Sequence, residues 1–270
     1  MLVEGRRFAL MFLGFNQHPK SNIQHPSIMA RRRFFVDEVR RGEATLEGED
    51  AEHLTRVLRV EIGQRYEISD GARLYLSEIV EARKRSVRFR VIEELPAVEP
   101  AVRVCLMMSL IKFERFEWVI EKATELGVEK IVPVQAARSE KGLELAARKR
   151  VERWRKIVRA ASEQSRRIHL PEVLPPVELA QALGWVGRKI YLEETAGCPL
   201  LIKAVSSPKA GESVGILVGP EGGWTDRERG HLVDAQWVGV SLGPQILRAE
   251  TAAIAAVAVI AHAWEAGSVE

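Results

Sequence analysis

Cysteine is scarce in this 270-residue chain: Cys105 and Cys198 are the only two, and they lie far apart. That excludes a disulfide framework and a cysteine-ligated zinc site, and it makes a reducing cytoplasm the natural compartment. Among the six histidines, His53, His169, His231 and His262 keep no metal-ligand spacing, so no metal is expected. No uninterrupted apolar run reaches the roughly 18 residues of a membrane span. The nearest, over 252–264, is short and rich in alanine, so no membrane partner is expected. Charge of one sign is also lacking, since a net +3 names no partner by itself. Three motifs are missing as well. There is no Gly-Lys-Ser/Thr phosphate loop, no G-x-G-x-x-G and no G-x-S-x-G, which weakens the kinase and dinucleotide readings and leaves a serine hydrolase without its nucleophile elbow. What is present, 46% hydrophobic and 29% charged residues, describes an ordinary globular protein long enough for about two domains.

The first residues sketch a signal peptide, Arg6 and Arg7 ahead of an apolar stretch over 8–13, but no A-x-A-like cleavage site follows. Residues 16–27 are polar with two prolines, and Met29 opens Met-Ala-Arg-Arg-Arg-Phe-Phe-Val. Residues 1–28 are therefore expected to be a disordered extension. From 29 to 97, short alternating runs at 34–36, 44–46, 65–68, 75–80 and 87–91, with Asp70-Gly71 as a tight turn, predict a small antiparallel β-barrel. One helix interrupts it over 50–60, where Leu54, Val57 and Leu58 share a face. The proline-bearing stretch 95–100 reads as a linker.

From 98 to 270 strands alternate with helices, the pattern of a parallel sheet with crossover helices and an α/β fold class. Strands are predicted at 102–110, 128–134, 189–193, 214–218 and 238–242. Helices are predicted from Phe116 through Leu126, over 145–167, near 177–183, over 226–235 and over 250–264. The last is apolar nearly all round, so it should be buried in the core or against another subunit.

Two segments carry chemistry. In Leu-Val-Gly-Pro-Glu-Gly-Gly-Trp over 217–224, an apolar strand runs into a glycine-rich loop, and Thr225 with Glu228 spells the capping box of the next helix. Such a loop offers backbone N–H groups to a ligand, or is simply a structural turn. The second, over 242–252, also joins a strand to a helix and carries Arg248 and Glu250. Loops at the carboxyl ends of parallel strands converge on a ligand crevice. Equally, Glu250 could merely complement the helix dipole while pairing with Arg248. A third signal is basic. Between Arg138 and Arg167 there are eleven Arg/Lys against four Glu, and at about 100° per residue Arg148, Arg155, Arg159 and Arg166 form one stripe. That stripe suits phosphate backbones or is a solvated face.

These residues together resemble the RsmE-type methyltransferases of small-subunit ribosomal RNA, within the SPOUT class. The resemblance rests on Leu-Val-Gly-Pro-Glu-Gly-Gly at 217–223, Leu242-Gly243 and Ile-Leu-Arg-Ala-Glu-Thr-Ala at 246–252. Supporting matches are Arg33-Phe34-Phe35-Val36, His53-Leu54 with Val57-Leu58-Arg59 and Gly63, Lys-Ala-Thr-Glu-Leu-Gly-Val at 122–128, and Ala-Ser-Glu-Gln-Ser at 161–165. Two positions depart from the family pattern: Gln245 stands where arginine is expected, and Phe113 follows Lys112 where a small or polar residue is usual. The resemblance implies a PUA-like barrel over 29–97 and a SPOUT methyltransferase domain over 98–270 with a C-terminal trefoil knot. It further implies a homodimer, S-adenosyl-L-methionine as methyl donor, and methylation of uridine N3 in 16S rRNA within the small subunit, in the cytoplasm. On that basis Leu217, Gly219, Glu221, Gly222, Leu242, Gly243, Ile246, Leu247, Thr251 and Ala252 are expected around the cofactor, with Glu221 bracing the loop. Arg248 and Glu250 are the catalytic candidates. Arg31, Arg32, Arg33, Arg59, Arg148, Arg155, Arg159 and Arg166 are expected to meet RNA. The alternatives are a non-catalytic RNA-binding or ribosome-assembly protein and a SPOUT ribose 2′-O-methyltransferase.

Overall fold

The computed structural model describes residues 33–195, 197–206, 209 and 211–267. The expected extension 1–28, and Arg31 and Arg32, lie outside the described residues. The N-terminal unit comprises β1 (Arg33–Phe35), β2 (Glu43–Glu47), α1 (Gly48–Arg56), β3 (Arg65–Ser69), β4 (Leu74–Arg83) and β5 (Ser86–Leu95), in the sheet order β1-β3-β4-β5-β2. Alternation is plain in β5, where Val87 and Phe89 are buried and Arg88 and Arg90 exposed. With Phe34, Leu54, Ile68 and Ile79 they form one core. Asp70 holds the β3–β4 turn by accepting the N–H groups of Ala72 and Arg73.

Two expectations change here. The sheet is mixed rather than antiparallel, because β1 runs parallel to β3 with Phe34 opposite Ile68. Between them the chain passes through β2 and α1, and only such a long crossover can return it in the same direction. Val57 is 64% exposed. α1 stops at Arg56, so Val57 falls at the cap, off the face that buries Ala51 and Leu54.

The C-terminal unit begins with β6 (Arg103–Ser109), α2 (Phe113–Glu125), β7 (Lys130–Gln135), α3 (Leu143–Arg148) and α4 (Val151–Ser165). It continues with β8 (Glu172–Val173), β9 (Val177–Glu178), α5 (Leu179–Ala182), β10 (Arg188–Leu192) and α6 (Leu201–Ala204). β11 (Ser213–Val218), α7 (Asp226–Asp234), β12 (Val238–Val240) and α8 (Ala249–Gly267) complete it. The strands are all parallel in the order β12-β10-β11-β6-β7-β8, and β9 also pairs with β7. Leu106, Met108, Ile216 and Val218 pack against α2, α4 and α8 on one face. Cys105, Met107, Val134 and Leu217 pack with Leu179, Leu232, Trp224 and Trp237 on the other. Both faces are covered, which is why β6 and β11 are near-continuous apolar runs.

The long helix expected over 145–167 is two helices. α3 ends at Arg148, Arg150 caps α4, and Arg166 closes it in the left-handed conformation at φ 60°. Arg150 lays its guanidinium over the Phe113 ring, 4.3 Å from the centroid, and meets Glu117 at 3.1 Å, so its side chain is held to α2 where the break occurs. Of the predicted stripe only Arg155 and Arg159 lie within α4. The helix expected near 177–183 opens as β9 and leaves only the short α5 helical, because Val177 and Glu178 pair with Val134 and Gln135.

α4 also joins the two units. Arg159 donates to the Phe35 carbonyl at 2.6 Å and meets Asp50 at 3.0 Å, and Lys156 meets Glu49 at 2.6 Å. Glu67 receives Arg166 at 3.2 Å and the buried Arg33 at 2.9 Å, while Arg33 Nη1 donates to the Arg166 carbonyl. The Ser69 hydroxyl donates to the Ile168 carbonyl at 2.7 Å. α8 buries Ala253, Ala256, Val257, Ile260 and Trp264, leaving Thr251 and His262 exposed and Ala255 and Ala258 half-buried on the opposite side. By length and composition α8 could cross a bilayer, but its buried face belongs to the main core.

Candidate functional site

A cavity of about 360 Å³ opens at the carboxyl ends of β10, β11 and β12. Its walls are residues 192–194, 218–221, 223–224, 229, 240–249 and 252. The glycines of the β11 loop do different jobs. Gly223 closes the turn at φ +66°, where an L side chain is strained. Gly219 has no such backbone demand; a Cβ there would lie 3.1 Å from Trp224 Cε2. The buried Trp224 indole fills that space and donates to the Leu192 carbonyl at 3.0 Å, tying the β11 loop to the end of β10. From the β7–α3 connection, Arg138 packs on Gly222 and donates to the carbonyls of Gly222 at 2.8 Å and Trp224 at 3.3 Å. Ala137 donates its N–H to Glu228 at 2.8 Å. Glu228 and Thr225 make the predicted capping box of α7.

The opposite wall is organised by the buried Glu193. Its carboxylate accepts the N–H groups of Glu194 and Thr195, the Thr195 hydroxyl, and Arg229 at 2.6 Å. Burial works against the charged form, but Arg229 and the Thr195 and backbone hydrogen bonds outweigh it and hold the Glu193 carboxyl below the usual range. The hydrogen bond from Arg229 to Glu193 raises the guanidinium's pKa in turn.

The C-terminal unit matches the RNA methyltransferase domain family over residues 98–261, and residues 46–92 match the RNA methyltransferase PUA domain. Ribosomal RNA small subunit methyltransferase E of Mycobacterium bovis is 34% identical over 241 residues, spanning 83% of this chain and 89% of that protein. Its Bacillus subtilis counterpart is 34% identical over 237 residues, spanning 82% and 90%. This chain belongs to the ribosomal RNA small subunit methyltransferase E family. A solved structure of the Neisseria gonorrhoeae member of that family, bound to S-adenosyl methionine, superposes with a TM-score of 0.74 at 28% identity, covering 86% of this chain and 97% of that one.

Within this member of the methyltransferase E family, Gly219, Glu221, Leu242, Gly243, Ile246, Leu247, Ala252 and Arg248 all line the cavity. Leu217 lies beneath it, fully buried in the adjoining core, and Gly222 lies against Arg138. Thr251 is exposed on α8. Glu250 is buried in the first turn of α8; its Oε1 is 3.6 Å from Arg115 Nε, and its Oε2 is closed from water without a partner. Glu221 meets the same Arg115 at 3.4 Å. Arg59 is exposed in a left-handed conformation at φ 52°. Arg148 pairs with Glu144 at 2.7 Å and Arg155 with Glu152 at 2.5 Å, whereas Arg33, Arg159 and Arg166 are engaged between the two units. Sequence reasoning misses Glu193, Arg229, Arg138 and Arg115. None belongs to a motif, and only the Glu193-Glu194 pair at the end of a predicted strand hints at a site.

Proposed function

We propose that this chain methylates 16S rRNA of the small ribosomal subunit, using S-adenosyl-L-methionine, at N3 of a uridine. The observation that carries the reading is the cavity itself. The two loops that spell the family resemblance, distant in sequence, wall one crevice at the carboxyl ends of the parallel strands. Its volume falls in the range of small-molecule sites, with aliphatic walls from Leu192, Val218, Leu242 and Leu247 and backbone groups between them. These residues fit the cofactor, which when bound supplies a methyl group already activated on a sulfonium.

The protein's own work is alignment and proton handling. Uracil N3 carries a proton at neutral pH, and the acceptor in this reading is Glu250, whose buried carboxylate must turn out toward the cavity wall to meet the base. Arg248, exposed on the cavity wall, stabilises the negative charge that develops on the ring. The 29–97 unit is read as the RNA-gripping PUA-like domain and 98–270 as the knotted SPOUT domain, with Arg59, Arg148 and Arg155 as cations open to phosphate. The half-buried alanine face of α8 supports a homodimer across that helix, and the substrate makes the cytoplasm the site of action.

The test is nucleoside mass spectrometry of 16S rRNA from a strain lacking the gene, with and without complementation, alongside calorimetric titration of the purified protein with S-adenosylmethionine. Loss and restoration of N3-methyluridine, together with cofactor binding, is the expected result. A change in a 2′-O-methylated nucleoside instead, or no cofactor binding, would overturn the reading.

A further inference from the structure

The charged residues on the cavity wall are Glu193, Glu194, Glu221, Arg229 and Arg248. Glu193 and Arg229 cancel each other, joined by hydrogen bonds of 2.6 and 3.2 Å. Glu221 accepts from Arg115 at 3.4 Å. Glu194 and Arg248 are both exposed and have no ion pair among the described residues, so theirs are the charges the wall leaves uncompensated. Glu194 follows the end of β10, and Arg248 immediately precedes α8. The buried Glu193 fixes the backbone of the first, because its carboxylate accepts the Glu194 and Thr195 N–H groups at 2.9 and 3.2 Å.

S-adenosylmethionine carries a sulfonium beside a zwitterionic amino acid group, hence one net positive charge. When the sulfur–methyl bond breaks and the nitrogen–methyl bond forms, sulfur keeps the bonding pair and becomes a neutral thioether. The product, S-adenosylhomocysteine, thus differs from the cofactor by one methyl group and one charge. A sphere of the cavity's 360 Å³ is about 9 Å across, close to the Debye length of about 8 Å at physiological salt, so a carboxylate on the wall is felt at the sulfur without touching it. We infer that Glu194 is a specificity-determining residue that favours the sulfonium cofactor over its thioether product, so that methyl transfer itself loosens the spent molecule. This rests on the proposed use of S-adenosylmethionine. Arg248 acts on the same charge in the opposite sense, and its own work is on the base.

The experiment is calorimetric titration of the full chain with S-adenosylmethionine, S-adenosylhomocysteine and sinefungin, in which an amine-bearing carbon replaces the sulfonium. Glu194→Gln should weaken S-adenosylmethionine and protonated sinefungin by about 5-fold, the size of one partly screened charge interaction, and S-adenosylhomocysteine by less than about 2-fold. Glu194→Asp, which keeps the charge, should keep most of the preference. Arg248→Gln should move the ratio of the two affinities the other way, toward the cofactor; any contact it makes with the amino acid group is common to both molecules and cancels in that ratio. Raising salt from about 50 to about 500 mM should shrink the wild-type preference and leave the Glu194→Gln ratio unmoved. Equal losses for cofactor and product in Glu194→Gln, or a ratio unchanged in both variants, would overturn the inference while leaving the cofactor reading intact. A wild-type protein that binds none of the three would remove that reading, and the inference with it.

Discussion

Gly219→Ala isolates what the glycine-rich loop contributes, because the backbone there sets no demand for glycine and sterics alone decide. The added Cβ would stand 3.1 Å from Trp224 Cε2 and 3.3 Å from Nε1, tighter than ordinary contact. The indole cannot yield easily, since it is 2% exposed and held by its hydrogen bond to the Leu192 carbonyl. Overpacking of this kind costs about 2 kcal/mol. In a protein of this size that lowers Tm by roughly 5 °C. If the strain is relieved by moving the loop instead, the same energy weakens cofactor binding by up to about 30-fold. Differential scanning calorimetry and calorimetric titration with S-adenosylmethionine divide the two effects. A partner variant, Trp224→Ala, loses the Leu192 hydrogen bond and removes every ring atom the added Cβ would meet, so the double variant should be better than the sum of the singles by more than about 0.5 kcal/mol. Strict additivity, or a Gly219→Ala protein with unchanged Tm and affinity, would refute the argument that Trp224 sets the position of this wall.

Three further outcomes are expected. Arg138→Ala removes donors to the Gly222 and Trp224 carbonyls; at about 1 kcal/mol for such a net loss, cofactor affinity should fall roughly 5-fold by titration calorimetry. The Glu193–Arg229 pair should make stability fall in acid. Because the folded carboxyl titrates below its ordinary 4.5, its contribution is complete above that value and drains away as pH falls through the lower folded one, so melts run downward from neutral pH should be flatter in Glu193→Gln. Burial pushes the Cys105 thiol up to about 12, and burial first, then Glu193, raises that of Cys198. Iodoacetamide labelling read by mass spectrometry should therefore be slow in the native protein, reach the half-buried Cys198 first, and reach Cys105 only after unfolding.

What is legible in the sequence follows from how locally each feature is determined. The stripe Phe116, Val119, Ile120 and Ala123 predicts α2, and the apolar run of β6 predicts a strand buried on both faces, since burial itself writes those patterns. The break between α3 and α4 leaves no such mark. No proline or glycine occurs over 143–165, and the contacts at the break come from Phe113 and Glu117 on another helix. The direction of the three-residue β1 is equally silent, because it depends on which strand it meets. In the site, the loops at 219–224 and 242–248 are readable as motifs. Arg115, Arg138, Glu193 and Arg229 reach them from four other stretches and are visible only once the chain is folded. Positive charge misleads for a similar reason: Arg33, Arg159 and Arg166 look like phosphate ligands, yet their partners are Glu67, Asp50 and backbone carbonyls of this same chain.

The anchoring of α4 to both units makes it a measuring rod. Lys156, Arg159 and Arg166 hold the N-terminal sheet at fixed stations along the helix and its cap. Each residue inserted would displace those stations by about 1.5 Å and swing them by about 100°. The separation between the N-terminal sheet and the crevice at the end of the parallel strands is thus dictated by the count of residues in one helix, and a single insertion near Ala160 would shift Arg166 out of step with Lys156 and Arg159 while sparing both ends of the helix.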